Sequence, residues 1–170
     1  MPLKRIEPGK RMSSAVIHRN RVYLAGFTPD AALGKSVAEQ TRDILAQIDA
    51  TLKEAGTDKT MILKANIWLT DIKTFAEMNS VWDAWVVPGQ TPARATVEAK
   101  LAAPGIDVEI MVEAAIEGAA EAGGSKGADR KQGKGAAKKA GAAKQGGAAN
   151  WSPEERAARR AKRAARKAGK

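Results

Sequence analysis

The sequence predicts an α+β domain, two helices on one mixed sheet, followed by a basic extension of different composition. Three observations carry this. In two stretches, Val37 to Leu52 and Phe75 to Trp85, apolar residues recur every three or four positions. That is the period of a helix with one buried face. Shorter β-rich runs surround both stretches. From Glu117 onward Ala, Gly, Lys and Gln replace almost every large apolar residue.

The elements follow in order. A weak first strand is expected near Leu3 to Ile6. Val16-Ile17-His18 and Val22-Tyr23-Leu24 flank Arg19-Asn20-Arg21. Asparagine tolerates left-handed geometry, so this segment reads as a hairpin turn. Gly26 to Gly34, with Pro29 and Asp30, reads as a loop. Val37, Thr41, Ile44, Leu45, Ile48 and Leu52 then mark one helix face. Ser36 with Glu39 three residues on fits a capping box, and Gly56 fits a C-terminal stop. Met61 to Leu69 reads as a strand and Thr70-Asp71 as a turn. Phe75, Met78, Trp82 and Trp85 mark a second helix, which Pro88-Gly89 ends. Two alternating strands close the domain. In the first, Ala95, Val97, Ala99 and Leu101 alternate with Thr96, Glu98 and Lys100. In the second, Val108, Ile110, Val112 and Ala114 alternate with Glu109, Met111 and Glu113. The order is β-β-β-α-β-α-β-β, and about 118 residues suffice for a real core.

Charge divides the chain at the same boundary. The net charge of +10 is unevenly spread. Residues 1–118 hold 14 Lys+Arg against 15 Asp+Glu, a net −1. Residues 119–170 hold 15 against 4, a net +11. We expect an α+β domain over residues 1–117, a disordered Ala/Gly/Lys linker over 118–150 and a basic helical tail over 151–170. Ser152, Pro153 and Glu155 form the start signal of that tail helix. A basic tail suits weak, nonspecific contact with nucleic acid or another polyanion through residues 126–170. Only Trp151 there is available to stack on a base.

With no cysteine and a single histidine, His18, disulfides, thiolate catalysis and histidine- or cysteine-based metal clusters are excluded. No metal held by cysteine or histidine is expected. The first residues lack the apolar core of a signal peptide, and no run approaches the length of a membrane helix. A cytoplasmic protein without membrane contact is therefore expected.

The candidate chemistry sits in Pro92-Ala93-Arg94 and Val108-Glu109-Ile110. A guanidinium grips a carboxylate with two parallel hydrogen bonds. A nearby carboxylate can hold or activate a water. Strand alternation sets Arg94 in phase with Thr96 and Glu98, opposite Ala95 and Val97, and sets Glu109 opposite Val108 and Ile110. Both are expected to point away from the main core, onto a sheet face that is wet or covered by another subunit. Asn79 fits either a backbone bridge or a site residue. His18 is expected to be a plain strand residue, and Trp68, Trp82 and Trp85 to be packing residues. Gly26 reads as a backbone necessity, with contact to ligand secondary.

These segments, with Val22-Tyr23-Leu24-Ala25-Gly26 and the helix holding Asn79, resemble the Rid family. This is the reactive intermediate deaminase, or YjgF, family. Trp82-Asp83-Ala84-Trp85-Val86-Val87 with Gly89 is similar to its YoaB-like branch. The resemblance covers residues 1–117 and none of the tail. It implies a chorismate-mutase-like fold, a homotrimer with clefts between subunits, and hydrolysis of 2-imino and 2-enamino acids to 2-oxo acids and ammonia. It also implies that no cofactor and no metal are needed, and it implies roles. Arg94 binds the substrate carboxylate, Glu109 orients the attacking water, and Asn79 and the backbone around Thr96 shape the cleft. Deaminase members carry a tyrosine where Met12 stands and a serine where Ala25 stands. That departure leaves a second reading open, a small-carboxylate binding or sensing module without turnover. The tail supplies a third, nonspecific nucleic-acid binding.

Overall fold

The computed structural model describes residues 3–117 and the single position Ala161. The expected linker and basic tail helix otherwise lie outside the described residues. Eight elements follow the predicted order: β1 (Lys4–Pro8), β2 (Ser13–His18), β3 (Arg21–Leu24), α1 (Val37–Ala55), β4 (Ile62–Leu69), α2 (Phe75–Trp85), β5 (Ala93–Glu98) and β6 (Val108–Ala115). Short 3₁₀ turns at Lys59–Met61 and Ile72–Thr74 lead into β4 and α2.

The strands form one sheet in the order β1-β2-β3-β6-β4-β5. Every neighbouring pair is antiparallel except β4–β5, which is parallel. A parallel pair needs a crossover rather than a hairpin, and α2 is that crossover. β5 is thereby left as an edge strand.

Both helices cover one face. α1 buries Ile44, Leu45, Ile48 and Leu52 completely or nearly so, above Val22, Leu24, Ile67, Val108 and Ile110. Each such side chain contributes about 1.5–3 kcal/mol by leaving water. The capping box is present: Glu39 N–H donates to Ser36 Oγ at 3.3 Å, and Ser36 N–H donates to the Glu39 carboxylate at 3.4 Å. At the other end Gly56 has φ 86°, and its N–H reaches the carbonyls of Leu52 and Lys53. α2 is tied to α1 through Glu77, whose carboxylate accepts from Ala38 N–H at 2.8 Å. A carboxylate there also complements the positive end of α1.

Two expectations need correction. In the β2–β3 turn, Arg19 is the left-handed residue, with φ 57°, and Asn20 is not. His18 pairs with Arg21, so Arg19 and Asn20 form a two-residue turn. Positive φ at the first position alone is the II′ pattern that suits strand twist. The Asn20 carbonyl meanwhile accepts from Ile116 N–H at 2.8 Å.

The second correction concerns β5. Register pairs Arg94 with Ala65, Thr96 with Ile67 and Glu98 with Leu69. Ala65, Ile67 and Leu69 are fully buried on the helix side. Laterally paired residues share a face, so Arg94, Thr96 and Glu98 point toward the helices. Val97, expected in the core, is 49% exposed on the other face. The physical reason is the edge position. Only α2 overhangs β5, so its inner row need not be apolar. Glu109 pairs with Trp68, one step out of phase with Ile67 and Leu69. It lies on the face opposite the helices, as expected. Trp68 shares that face and is not part of the helix-side core.

Candidate functional site

Arg94 is cradled by one stripe of α2. Phe75, Asn79 and Trp82 are spaced four and three residues apart, which brings them to one helix face. Arg94 Nη1 donates to Asn79 Oδ1 at 2.8 Å. Its guanidinium carbon lies 5.2 Å from the Trp82 ring centroid and 5.7 Å from that of Phe75. Both are cation–π distances. Asn79 is the one hydrogen-bond partner of the Arg94 side chain among the described residues. A guanidinium has five N–H donors, so most of this fork is open to an anion.

Thr96 stands two residues along the same face. Its hydroxyl is buried and meets no hydrogen-bond partner among the described residues. An unmet buried hydroxyl costs about 1–3 kcal/mol, which a ligand oxygen would offset. Arg94 and Thr96 thus stand on one face of β5, on the side of half-exposed Phe75.

Glu109 is built differently. It is only 2% exposed, on a strand whose neighbours are aliphatic. Gly26 makes its place. A Cβ on Gly26 would collide with Glu109 Oε1 and would stand 3.0 Å from the carboxyl carbon. The requirement at Gly26 is therefore steric. Phe27 and Ile110 exchange backbone hydrogen bonds of 2.8 and 3.0 Å, which fixes the loop against β6 at this point. Ala25, beside Gly26, donates its N–H to Ser14 O at 3.0 Å. The buried Ser14 hydroxyl in turn donates to the Glu7 carboxylate at 2.8 Å.

Of the residues singled out from sequence, the structure brings together Arg94 with Asn79, and Gly26 with Glu109. It does not bring Arg94 to Glu109 within one chain. Arg94 shares a row with Ala65 and Val112, whereas Glu109 is three residues along β6 and on the opposite face. His18 is a half-buried strand residue at the hairpin. Sequence reasoning missed Phe75 and Trp82 as neighbours of Arg94. The signal was present as an aromatic four residues before Asn79 and another three after it. Trp85 packs on Trp82, with centroids 5.4 Å apart, and donates to Asp49 at 2.9 Å.

Among the described residues, no group of three or more His, Cys, Asp or Glu side chains is placed to hold a metal ion. None of the described helices is long and apolar enough to cross a membrane.

A six-stranded mixed sheet carrying two helices on one face, with an edge-strand arginine locked to the crossover helix, defines the class. A family model described as Endoribonuclease L-PSP matches residues 2–116, and the chain belongs to that family, also known as the Rid or YjgF family. Within it the chain is YoaB-like. It is 46% identical over 116 residues to the RutC family protein YoaB of Escherichia coli, covering 68% of this chain and all of that one. A RutC family protein of Haemophilus influenzae is 44% identical over 112 residues, covering 66% of this chain and 97% of its own. Among solved structures, a YjgF family member from Neisseria meningitidis superposes with a TM-score of 0.66 at 46% identity, over 69% of this chain and 97% of that one. These shares of the chain leave the basic extension unmatched.

Proposed function

We propose that this protein hydrolyses reactive 2-imino and 2-enamino acids to 2-oxo acids and ammonia, in clefts between the subunits of a homotrimer. The observation that supports it most is the Arg94 fork, held at one end by Asn79 and open at the rest, beside the unpartnered Thr96 hydroxyl. Arg94 takes the substrate carboxylate and Thr96 donates to one of its oxygens. Asn79 holds the guanidinium in place. Glu109, in the space Gly26 leaves, orients a water toward the imine carbon and accepts its proton. The C–O bond forms as the C=N π bond opens, giving a carbinolamine. Proton return to nitrogen then lets ammonia leave as the carbonyl forms. An enamino acid first becomes the imine by gaining a proton at carbon and losing one from nitrogen; no redox partner is required, because water and imine balance oxo acid and ammonia.

The placement of Arg94 and Glu109 on opposite faces makes the partner subunit essential to this reading. One copy supplies the Arg94 edge and the next supplies the Glu109 face. The test is release of ammonia and 2-oxo acid from enzymatically generated imino acids, with Arg94→Ala alongside. The variant should lose at least about a hundredfold, the scale of a lost positioning and charge-stabilising group. Equal rates would reject the reaction.

One observation favours a second reading. Met12 and Ala25 stand where deaminase members carry hydroxyls, and a missing donor to the reacting atoms costs about 2.7–4 kcal/mol in the barrier. A cleft without those donors suits binding of a small carboxylate without turnover. Calorimetry showing Arg94-dependent binding of 2-oxo acids, with no ammonia release from imines, would select it.

The charge partition supports a separate activity for the extension, nonspecific binding of nucleic acid in a cytoplasmic setting. Three copies in a trimer would add avidity. A gel-shift series in rising salt, with the chain cut at Glu117 for comparison, should show affinity confined to the full chain and falling steeply with salt. Equal affinity for both would end this reading.

A further inference from the structure

We infer that Trp82 is a positioning residue for Arg94, setting together with Phe75 the orientation in which the guanidinium meets a carboxylate. The inference rests on the reading of Arg94 as the carboxylate anchor. Trp82 is 4% exposed, so it acts through Arg94 and not on the ligand. Its ring centroid lies 5.2 Å from the guanidinium carbon, with the Phe75 ring at 5.7 Å and Asn79 Oδ1 2.8 Å from Nη1.

These three contacts come from one rigid helix face. An arginine side chain has several rotatable bonds and normally loses that freedom when it binds. Here the freedom is lost before a ligand arrives. The negative faces of two rings attract the cation, and Asn79 fixes which nitrogen points inward.

Trp82 is itself held. Trp85 packs against it at 5.4 Å with an interplanar angle of 52°, and the Trp85 indole N–H donates to Asp49 of α1 at 2.9 Å. Asp49, Trp85, Trp82 and Arg94 thus form one continuous line from α1 to the edge of the sheet. A tryptophan kept only to fill the core would need none of this alignment with a charge.

The experiment is calorimetric titration with pyruvate of the full-length wild type, Trp82→Phe, Trp82→Leu and Phe75→Leu, with tryptophan emission followed in parallel. Trp82→Leu keeps an apolar side chain, smaller than the indole, and removes the π face. It should weaken binding about two- to fivefold, the scale of one cation–π contact. Trp82→Phe should restore affinity to within about twofold. Binding should change the emission of the wild type, and that change should vanish in Trp82→Phe although Trp68, Trp85 and Trp151 remain. Trp82→Leu binding as tightly as wild type, or an emission change that survives in Trp82→Phe, would overturn the inference.

If Trp82→Leu does not fold, Phe75→Leu decides, because Phe75 is 39% exposed and tolerates replacement. It should weaken binding about twofold or more, and unchanged affinity would overturn the inference. No binding by the wild type would reject the anchor reading and this inference with it. Wild-type binding indifferent to the rings would reject the inference alone.

Discussion

The two faces of the sheet hold their key residues by opposite means. On the helix face, Arg94 is gripped by side chains: an amide and two aromatic rings of α2, which leave most of its fork open. On the other face, Glu109 is buried to 2% exposure and is accommodated by the absence of a side chain at Gly26. One half is an attraction with an open end. The other is a fitted space. The first should weaken gradually as contacts are trimmed, and the second should fail abruptly when a single atom is added.

The largest effect is expected when the two halves are carried by different copies. If each cleft takes Arg94 from one copy and Glu109 from another, Arg94→Ala and Glu109→Gln should each be inactive alone. Unfolded and refolded together at equal amounts, they should regain activity. In a trimer with one cleft per interface, about a quarter of the clefts would pair an intact Arg94 with an intact Glu109. Mixed oligomers with no recovery, alongside active wild type treated identically, would mean that the two residues do not share a cleft.

The next largest effect is expected at Gly26. Gly26→Ala adds one methyl group against the Glu109 carboxylate. Overpacking of this kind costs about 1–3 kcal/mol and moves the neighbour that can give way. The carboxylate should swing out of place, so turnover should fall more than tenfold while 2-oxo acid binding at Arg94 changes little. Kinetics and calorimetry on the same variant test this directly. A variant with normal turnover would show that Glu109 is not used where it stands.

Trimming the other half should be milder. Asn79→Ala removes one charge-assisted hydrogen bond and leaves both rings. A bond of that type is worth about 1.5–3 kcal/mol. A rise in KM of about tenfold is expected, with kcat reduced less. Loss of kcat without any change in KM would place Asn79 in the chemistry and not in the anchor.

The two faces also differed in how far sequence could reveal them. α1 was legible down to its caps, because Ser36, Glu39 and Gly56 act locally and the helical period is carried by large aliphatic residues. Glu109 was assigned to the correct face because Val108, Ile110 and Val112 leave no choice of phase. β5 was not legible. Ala93, Ala95 and Ala99 have little preference for either face, and Val97 was the only large apolar residue to set the phase of the strand proper. The parallel register with β4 overrode it. That a parallel partner would place Arg94 beside Ala65 depends on the whole sheet order, which no local pattern contains. The aromatic bracket was hidden for the same reason. Phe75 and Trp82 announce a helix face, but not which charge that face will meet.

The smallest effect concerns the layer that carries the Arg94 half. In the α1 capping box, the hydrogen bond from the Ser36 hydroxyl, and next the one from its backbone N–H, hold the Glu39 carboxyl below its ordinary value of 4.5. A folded-state pKa that is lowered gives stability that is present above the ordinary value and is lost as pH falls through the lowered one. Thr60 acts in the same way on Asp58 at the turn before β4. Acid should therefore loosen the α1 start and the turn that leads into β4. Glu39→Gln keeps an acceptor for Ser36 but cannot titrate. Its denaturation midpoint should consequently depend less on pH than that of the wild type as pH falls below the ordinary value of 4.5. Glu39 is exposed, so solvent screening keeps the difference small. Identical pH dependence in the two proteins would show that the cap contributes nothing that protonation can remove.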